Sequence, residues 1–171
     1  MSTTISTRRL LLSCAAALMA TALAATTGTA AAPQSTPLAG TWQADVSQSK
    51  FKGRAPYRSG KMKFVTEAGG KVHVVADVIT ANGAAFHFEY SGPENGTELP
   101  VTGNPYYNGA AMRWKDSRTL VRTELRAGKP IGTTTFVLAA DGRSFVATSS
   151  RTTPEDGHLY TSTILWKGVA D

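Results

Sequence analysis

The sequence predicts an all-β domain, an antiparallel up-and-down meander closed into a barrel of about eight to ten strands. Short runs rich in Val, Thr, Phe and Tyr alternate with glycine-bearing turns from residue 38 onward. No segment keeps a 3.6-residue apolar period over three turns, so little helix is expected. An open sheet of that length would expose two edges to aggregation, and closure into a barrel removes them.

The turns share one chemistry, which predicts that successive strands pair as neighbours. Each ends in a glycine that follows Asn, Asp or Gly, as three-residue hairpin loops with a left-handed last residue require. These turns lie at residues 68–70, 81–83, 94–96, 140–142 and 155–157.

One hairpin can be tested by its register. With 81–83 as a three-residue loop, apolar residues meet on one face, whereas a two-residue loop mixes the faces. The predicted pairs are Val78 with Phe86, Ala76 with Phe88 and Val74 with Tyr90. In the preceding hairpin, Met62 and Phe64 are expected to reach Val74 and Val72.

The remaining strands follow from alternation between the turns. Residues 38–44 open the domain, 130–138 pair with 143–150, and 158–167 end it with Tyr160, Ile164 and Trp166 on one side. Ala110, Met112 and Trp114 share a face. The next strand alternates between two sets of residues: Thr119, Val121, Thr123 and Leu125 on one side, and Arg118, Arg122, Glu124 and Arg126 on the other.

Residues 1–24 read as a signal peptide. Arg8 and Arg9 precede an apolar stretch at 10–23 that is too short for a stable membrane span. The small-x-small pattern at residues 22–24 suits signal peptidase, and the paired arginines fit either Sec or twin-arginine export. Residues 25–37 are expected to be a disordered linker, and 38–171 the barrel domain. Cleavage removes Cys14, the only cysteine, and leaves a periplasmic or secreted domain without disulfides.

Composition excludes several functions for the exported domain. Loss of Arg8 and Arg9 leaves sixteen basic and twelve acidic residues, a modest net charge of +4. No later apolar run is long enough to form a transmembrane segment. Basic residues between 50 and 63 surround Phe51 and Tyr57. For an exported protein this favours an anionic envelope surface over nucleic acid as a partner.

No catalytic, metal or cofactor motif stands out in the sequence. His87 is predicted to face Asp77 across the hairpin, with Glu89 two residues on, which could form a general base or part of a metal site. The competing interpretation is a charged pair on the solvated face of the sheet. No second histidine has metal-ligand spacing, so no metal and no cofactor are expected.

Aromatic and methionine side chains on successive strands are the best sign of a binding pocket. These side chains either fill the core or line a cavity. Both are possible because the interior of an eight-stranded barrel is just wide enough to be filled by side chains or to hold one small ligand. The candidate ligand-binding residues are Phe64, Phe86, Phe88, Tyr90, Met112 and Trp114. Tyr90, Arg113 and Asn104 are candidate polar anchors.

A G-T-W at 40–42 heads the meander, followed by Asp45, S-K-F at 49–51, P-V-T-G-N-P at 100–105 and Asp141-Gly142. This pattern resembles a group of short exported bacterial proteins, lipocalin-like (calycin-type) in build, with no established activity. The resemblance implies that Trp42 plugs one end of the barrel and that the interior binds a small hydrophobic molecule. The usual lipocalin disulfide is absent.

Two other functions remain open at this stage. A periplasmic protein-binding module such as a protease inhibitor would use residues 25–37 as an arm into the protease cleft. A barrel isomerase or cyclase would use His87 with Asp77 or Glu89, and would need these groups inside the barrel.

Overall fold

A computed structural model describes residues 35–153 and 157–170 of the chain. The signal peptide and most of the linker predicted above lie outside this part. The described residues form ten strands and one short 3-10 turn, Ala68–Gly70. The strands are β1 (Gly40–Lys52), β2 (Tyr57–Glu67), β3 (Lys71–Thr80), β4 (Ala85–Pro93), β5 (Asn95–Pro100), β6 (Gly109–Trp114), β7 (Thr119–Arg126), β8 (Lys129–Leu138), β9 (Ser144–Thr152) and β10 (Leu159–Val169).

The strands form one antiparallel sheet in the order β4-β3-β2-β1-β10-β9-β8-β7-β6-β5. Every pair except β1 with β10 is sequential, as an up-and-down meander requires. Edge strand β4 then meets the chain just after edge strand β5 through one bridge, in which Glu89 and Thr102 exchange backbone hydrogen bonds of 3.1 and 3.0 Å. The all-β meander predicted from the sequence is therefore confirmed, as a nearly closed barrel.

Gly103 permits this closure. Its φ is +76°, and a Cβ at this position would collide with the backbone oxygen of His87. Any other residue would therefore push β4 away from the chain after β5. This part of the V-T-G-N-P motif thus serves to bring the sheet edges together.

The hairpin registers confirm one prediction and correct another. Val78, Ala76 and Val74 pair with Phe86, Phe88 and Tyr90, as the three-residue loop required. In the preceding hairpin Met62 pairs with Ala76 and Phe64 with Val74, two residues from the expected register. The side chains keep the same face because the shift is an even number of residues.

One turn differs from the sequence expectation, and the structure settles which face of β7 points inward. Residues 94–96 do not form a separate hairpin loop, because β5 begins at Asn95 directly after β4 ends at Pro93. In β7, Leu120, Arg122 and Glu124 are buried while Val121 is only partly so. Arg122 and Glu124 therefore point into the barrel.

The end of the barrel nearest the β8–β9 turn, called here the apolar end, is filled by aromatic rings. Phe145 is 1% exposed and lies 4.8 Å from Trp42, 5.7 Å from Phe136 and 5.9 Å from Trp166, centroid to centroid. Edge-on and stacked ring pairs of this kind add to the hydrophobic stabilisation of the buried area.

The chain packs against this end before β1 begins. Thr36 is buried, and its hydroxyl donates to Oε1 of Glu94 at 3.0 Å. Leu38 is fully buried, and its carbonyl oxygen accepts the Trp42 indole N–H at 2.9 Å. Among the described residues, no helix has the length and apolar character needed to cross a membrane.

Candidate functional site

The interior changes from apolar to polar along single strands. The inward residues of β9 run Phe145, Ala147, Ser149, Arg151 from the apolar end to the opposite, open end. On β8, Phe136 pairs with Ala147 and Thr134 pairs with Ser149. Side chains two residues apart face the same way, so strand geometry alone carries Arg151 into the barrel once Phe145 is inside.

A buried charged cluster occupies the middle of the interior. Arg122 is 6% exposed, and its Nη2 donates to Oε1 of Glu124 at 2.8 Å and to the Thr134 hydroxyl at 3.2 Å. The Thr134 hydroxyl in turn donates to Oε1 of Glu124 at 2.8 Å and lies 2.8 Å from the Ser149 hydroxyl. Burial of these charges is possible because each has an opposite charge or a hydrogen-bonding group beside it.

Arg151 adds a second cation to the same carboxylate. Its Nη1 lies 3.4 Å from Oε2 of Glu124, and both side chains are more than nine-tenths buried. Burial acts to raise the pKa of Glu124, but Arg122 and Arg151 outweigh it, and the net pKa is lowered. Glu124 is therefore ionised at neutral pH and shared between two arginines, so the cluster has one excess positive charge.

Tyrosine rings surround the arginines. The Tyr90 hydroxyl accepts a hydrogen bond from Nη1 of Arg122 at 3.2 Å, and the Arg122 guanidinium lies 5.4 Å from the Tyr107 ring centroid. Ring faces attract cations, and more strongly where water is excluded. Burial raises the pKa of Tyr107, so its hydroxyl stays protonated.

A small inner cavity of about 40 Å³ borders this cluster, with Glu124, Arg151 and Phe88 in its wall. A water molecule needs roughly 10–15 Å³ measured in this way. The inner cavity therefore has room for a few waters but not for an organic ligand.

A larger space, the mouth chamber, opens at the polar end of the barrel. Its volume is about 600 Å³, within the range of roughly 300–1,000 Å³ typical of small-molecule sites. The walls come from the loops that follow β1, β3 and β5, from the starts of β4 and β10 and from the end of β9. The lining combines apolar, aromatic and cationic groups, including Ala84, Phe86, Pro105, Tyr106, Arg151 and Tyr160.

Tyr106 lies between the two spaces and lines both. The guanidinium of Arg151 lies 4.7 Å from its ring centroid, and that of Arg54 lies 6.0 Å away. Arg54 also lies over the Tyr57 ring at 4.9 Å. Asn104 holds the Tyr106 loop in place, because its side-chain oxygen accepts the backbone N–H of Tyr106 at 2.9 Å.

The structure separates the six candidate ligand-binding residues into two groups. Phe86 lines both spaces, and Phe88 lines the inner cavity. The other four pack in or against the core outside the lining of these cavities: Phe64, Tyr90, Met112 and Trp114. The contribution of all six to binding stays a prediction.

The candidate polar anchors also separate. Tyr90 bonds Arg122, and Asn104 lines the inner cavity. Arg113 lies exposed on the outer wall, where its Nη2 donates to the backbone oxygen of Asn95 at 3.1 Å. Trp42 sits at the apolar end against Phe145, and its role as a barrel plug stays a prediction.

The proposed catalytic histidine lies outside the barrel. Nδ1 of His87 is 2.7 Å from Oδ1 of Asp77, and both side chains are more than half exposed on the outer wall. Glu89 is on the same wall, with its Oε2 3.0 Å from Nε2 of His73. The isomerase hypothesis required these groups inside the barrel, so the geometry contradicts it.

In the described part of the chain, no three His, Cys, Asp or Glu side chains converge in a way that could hold a metal ion. Four charged residues that line the two spaces were not among the candidate site residues of the sequence analysis: Arg54, Arg122, Glu124 and Arg151. Strand alternation would have found Arg151, which follows Phe145 in steps of two. It would not have found Arg122 and Glu124, because Leu120 and Val121 place apolar residues on both faces of β7.

These features define an antiparallel up-and-down barrel with a closed apolar end and an open polar end. No protein-family model matches the sequence, and neither does any curated protein. A solved structure of the siderocalin Ex-FABP, described as functioning through dual ligand specificities, is similar to the chain with a TM-score of 0.34 and 10% sequence identity. The alignment covers 78% of this chain and 74% of that one. The fold assignment itself follows from the strand order and pairing described above.

Proposed function

We propose that this is an exported binding protein that holds a small, largely apolar molecule in the mouth chamber. The observation that carries the proposal is a chamber of about 600 Å³ on a barrel whose remaining interior is packed. Binding sites are usually concave and mainly apolar, with a few polar groups that orient the ligand. The predicted signal peptide supports a periplasmic or secreted location.

The expected affinity is modest. Burying about 200 Å² of apolar ligand surface yields about 5 kcal/mol. Association costs leave a dissociation constant that is about micromolar or weaker. The ligand is therefore exchanged readily, as suits a carrier or scavenger.

The test is titration with phenylnaphthylamine, a neutral apolar dye whose emission rises on binding. Ala84→Trp places a large side chain in the chamber wall and should abolish the emission increase. Ala140→Trp adds the same side chain at an exposed turn at the apolar end and should leave it unchanged. Equal binding by all three proteins, or no binding by the parent protein, would contradict the proposal.

A further inference from the structure

The charges around the two spaces do not balance. Among the described residues that line them, Arg54, Arg122 and Arg151 are cationic and only Glu124 is anionic. Arg122 is matched by Glu124, with which it makes the shorter contact of 2.8 Å against 3.4 Å for Arg151. Two positive charges, Arg151 and Arg54, are therefore left at the boundary between the inner cavity and the mouth chamber.

Arg151 is the group best placed to receive an anion. Its side chain is 8% exposed, and within the described part of the chain its buried Nη1 makes no hydrogen bond. The 3.4 Å contact of this nitrogen with Glu124 is an ion pair without hydrogen-bond geometry. A buried donor left in this way costs free energy, and an acceptor supplied by a ligand would recover it.

The packing below the cluster limits the shape of the ligand. Phe136, Phe145 and Trp166 fill the interior beyond the inner cavity, which itself holds only about 40 Å³. A long alkyl chain therefore has no path into the barrel. The apolar part of the ligand must stay in the mouth chamber, where Phe86, Tyr106 and Tyr160 offer ring faces and edges.

We propose that the mouth chamber binds a compact aromatic monoanion, such as an aryl carboxylate, with its acid group directed inward to Arg151 and Arg54. The carboxylate oxygens accept hydrogen bonds from the guanidinium of Arg151, and the ring packs against Phe86 and Tyr106. This inference rests on the proposed function and adds to it the charge, the size and the orientation of the ligand.

Isothermal titration with naphthoate and with naphthalenemethanol separates the two proposals, because these probes share a ring system and differ in charge. Naphthoate should bind on the order of tenfold to a hundredfold more tightly, as expected for a charge-assisted hydrogen bond in a buried site. Decanoate, which carries the same charge on a long chain, should bind more weakly than naphthoate.

Three variants locate the anion site. Arg151→Gln should remove the preference for naphthoate while naphthalenemethanol still binds. Arg54→Gln should reduce that preference severalfold. Because Arg54 lies in an accessible loop, this variant keeps the test decisive if loss of the buried Arg151 impairs folding. Arg143→Gln removes one exposed charge at the apolar end and should change neither affinity.

Each other outcome overturns a specific statement. Equal binding of the two naphthalene probes by the parent protein would refute the anion site and leave the apolar chamber standing. Failure of both probes would refute the proposed function as well. Tighter binding of decanoate would refute the compact shape, and an effect of Arg143→Gln equal to that of Arg54→Gln would refute the location.

Discussion

The two ends of the barrel interior use the same strands for opposite purposes. At the apolar end, Phe145 and Trp166 stack with centroids 5.9 Å apart, and both rings are buried. Six residues further along β9, Arg151 is equally buried but shares a single carboxylate with Arg122. Aromatic packing stabilises a fold, whereas buried charges are often no better than apolar residues of the same volume. The contrast indicates that the apolar end supplies stability, whereas the proposed function assigns ligand binding to the polar end.

The largest expected effect on stability comes from the apolar end. Phe145→Ala removes a ring that contacts Trp42, Phe136 and Trp166, and should lower the free energy of unfolding by about 3–5 kcal/mol. Urea unfolding measures this loss. Val146→Ala alters the next side chain, which is 37% exposed on the outer wall, and should cost about 0.5 kcal/mol or less. Comparable losses for the two variants would contradict the assignment of Phe145 to the core.

A charge deletion at the polar end should have an effect of similar size for a different reason. Glu124→Gln leaves Arg122 and Arg151 buried without a counter-charge, and should cost about 3–5 kcal/mol in urea unfolding.

Replacement of the whole charged cluster sharpens the comparison. The triple apolar variant combines Arg122→Met, Glu124→Leu and Arg151→Met. Its free energy of unfolding should equal or exceed that of the parent protein, and its preference for naphthoate should be lost. Severe destabilisation of this triple variant would show instead that the cluster is part of what holds the barrel together.

Acid should weaken the polar end selectively. Because the folded-state pKa of Glu124 lies below its ordinary value of 4.5, its stabilisation is complete above that pH and is lost as the pH falls through the folded-state pKa. Between pH 7 and pH 3 the parent protein should therefore lose more unfolding free energy than the triple apolar variant. Parallel pH profiles would contradict the ionised state of Glu124.

The smallest expected effect is at the surface. The hydrogen bond from Lys167, followed by that from Ser47, lowers the pKa of Asp45 from 3.8 to about 2. The stabilisation this carboxylate provides is therefore present above about pH 4 and lost between pH 4 and pH 2. Asp45→Asn should flatten the stability profile slightly in that window, as measured by acid unfolding. A larger effect than that of Glu124→Gln would reverse the ranking, since an ion pair whose cation is as exposed as Lys167 contributes little.

Local chemistry predicted most of the scaffold. The loop at 81–83 set the register of β3 with β4, because only one loop length places Val78 opposite Phe86. The register predicted for the preceding hairpin was wrong by two residues. Side-chain alternation could not detect this error, because a shift by an even number leaves the same side chains on the same face. The start of β5 at Asn95 was missed because Asn95-Gly96 looks like a turn, whereas here the chain bends sharply and resumes a strand at once.

The sequence by itself determined the all-β class, the meander order and the alternation of each strand, because turn chemistry and side-chain period are local properties. Only the tertiary structure decided which face of β7 points inward, since Val121 and Arg122 alternate in the same way whichever side faces the core. The mouth chamber, too, depends on closure, which brings Arg54, Tyr106 and Arg151 together from distant parts of the chain. Such contacts follow from the curvature of the closed sheet and from no local pattern.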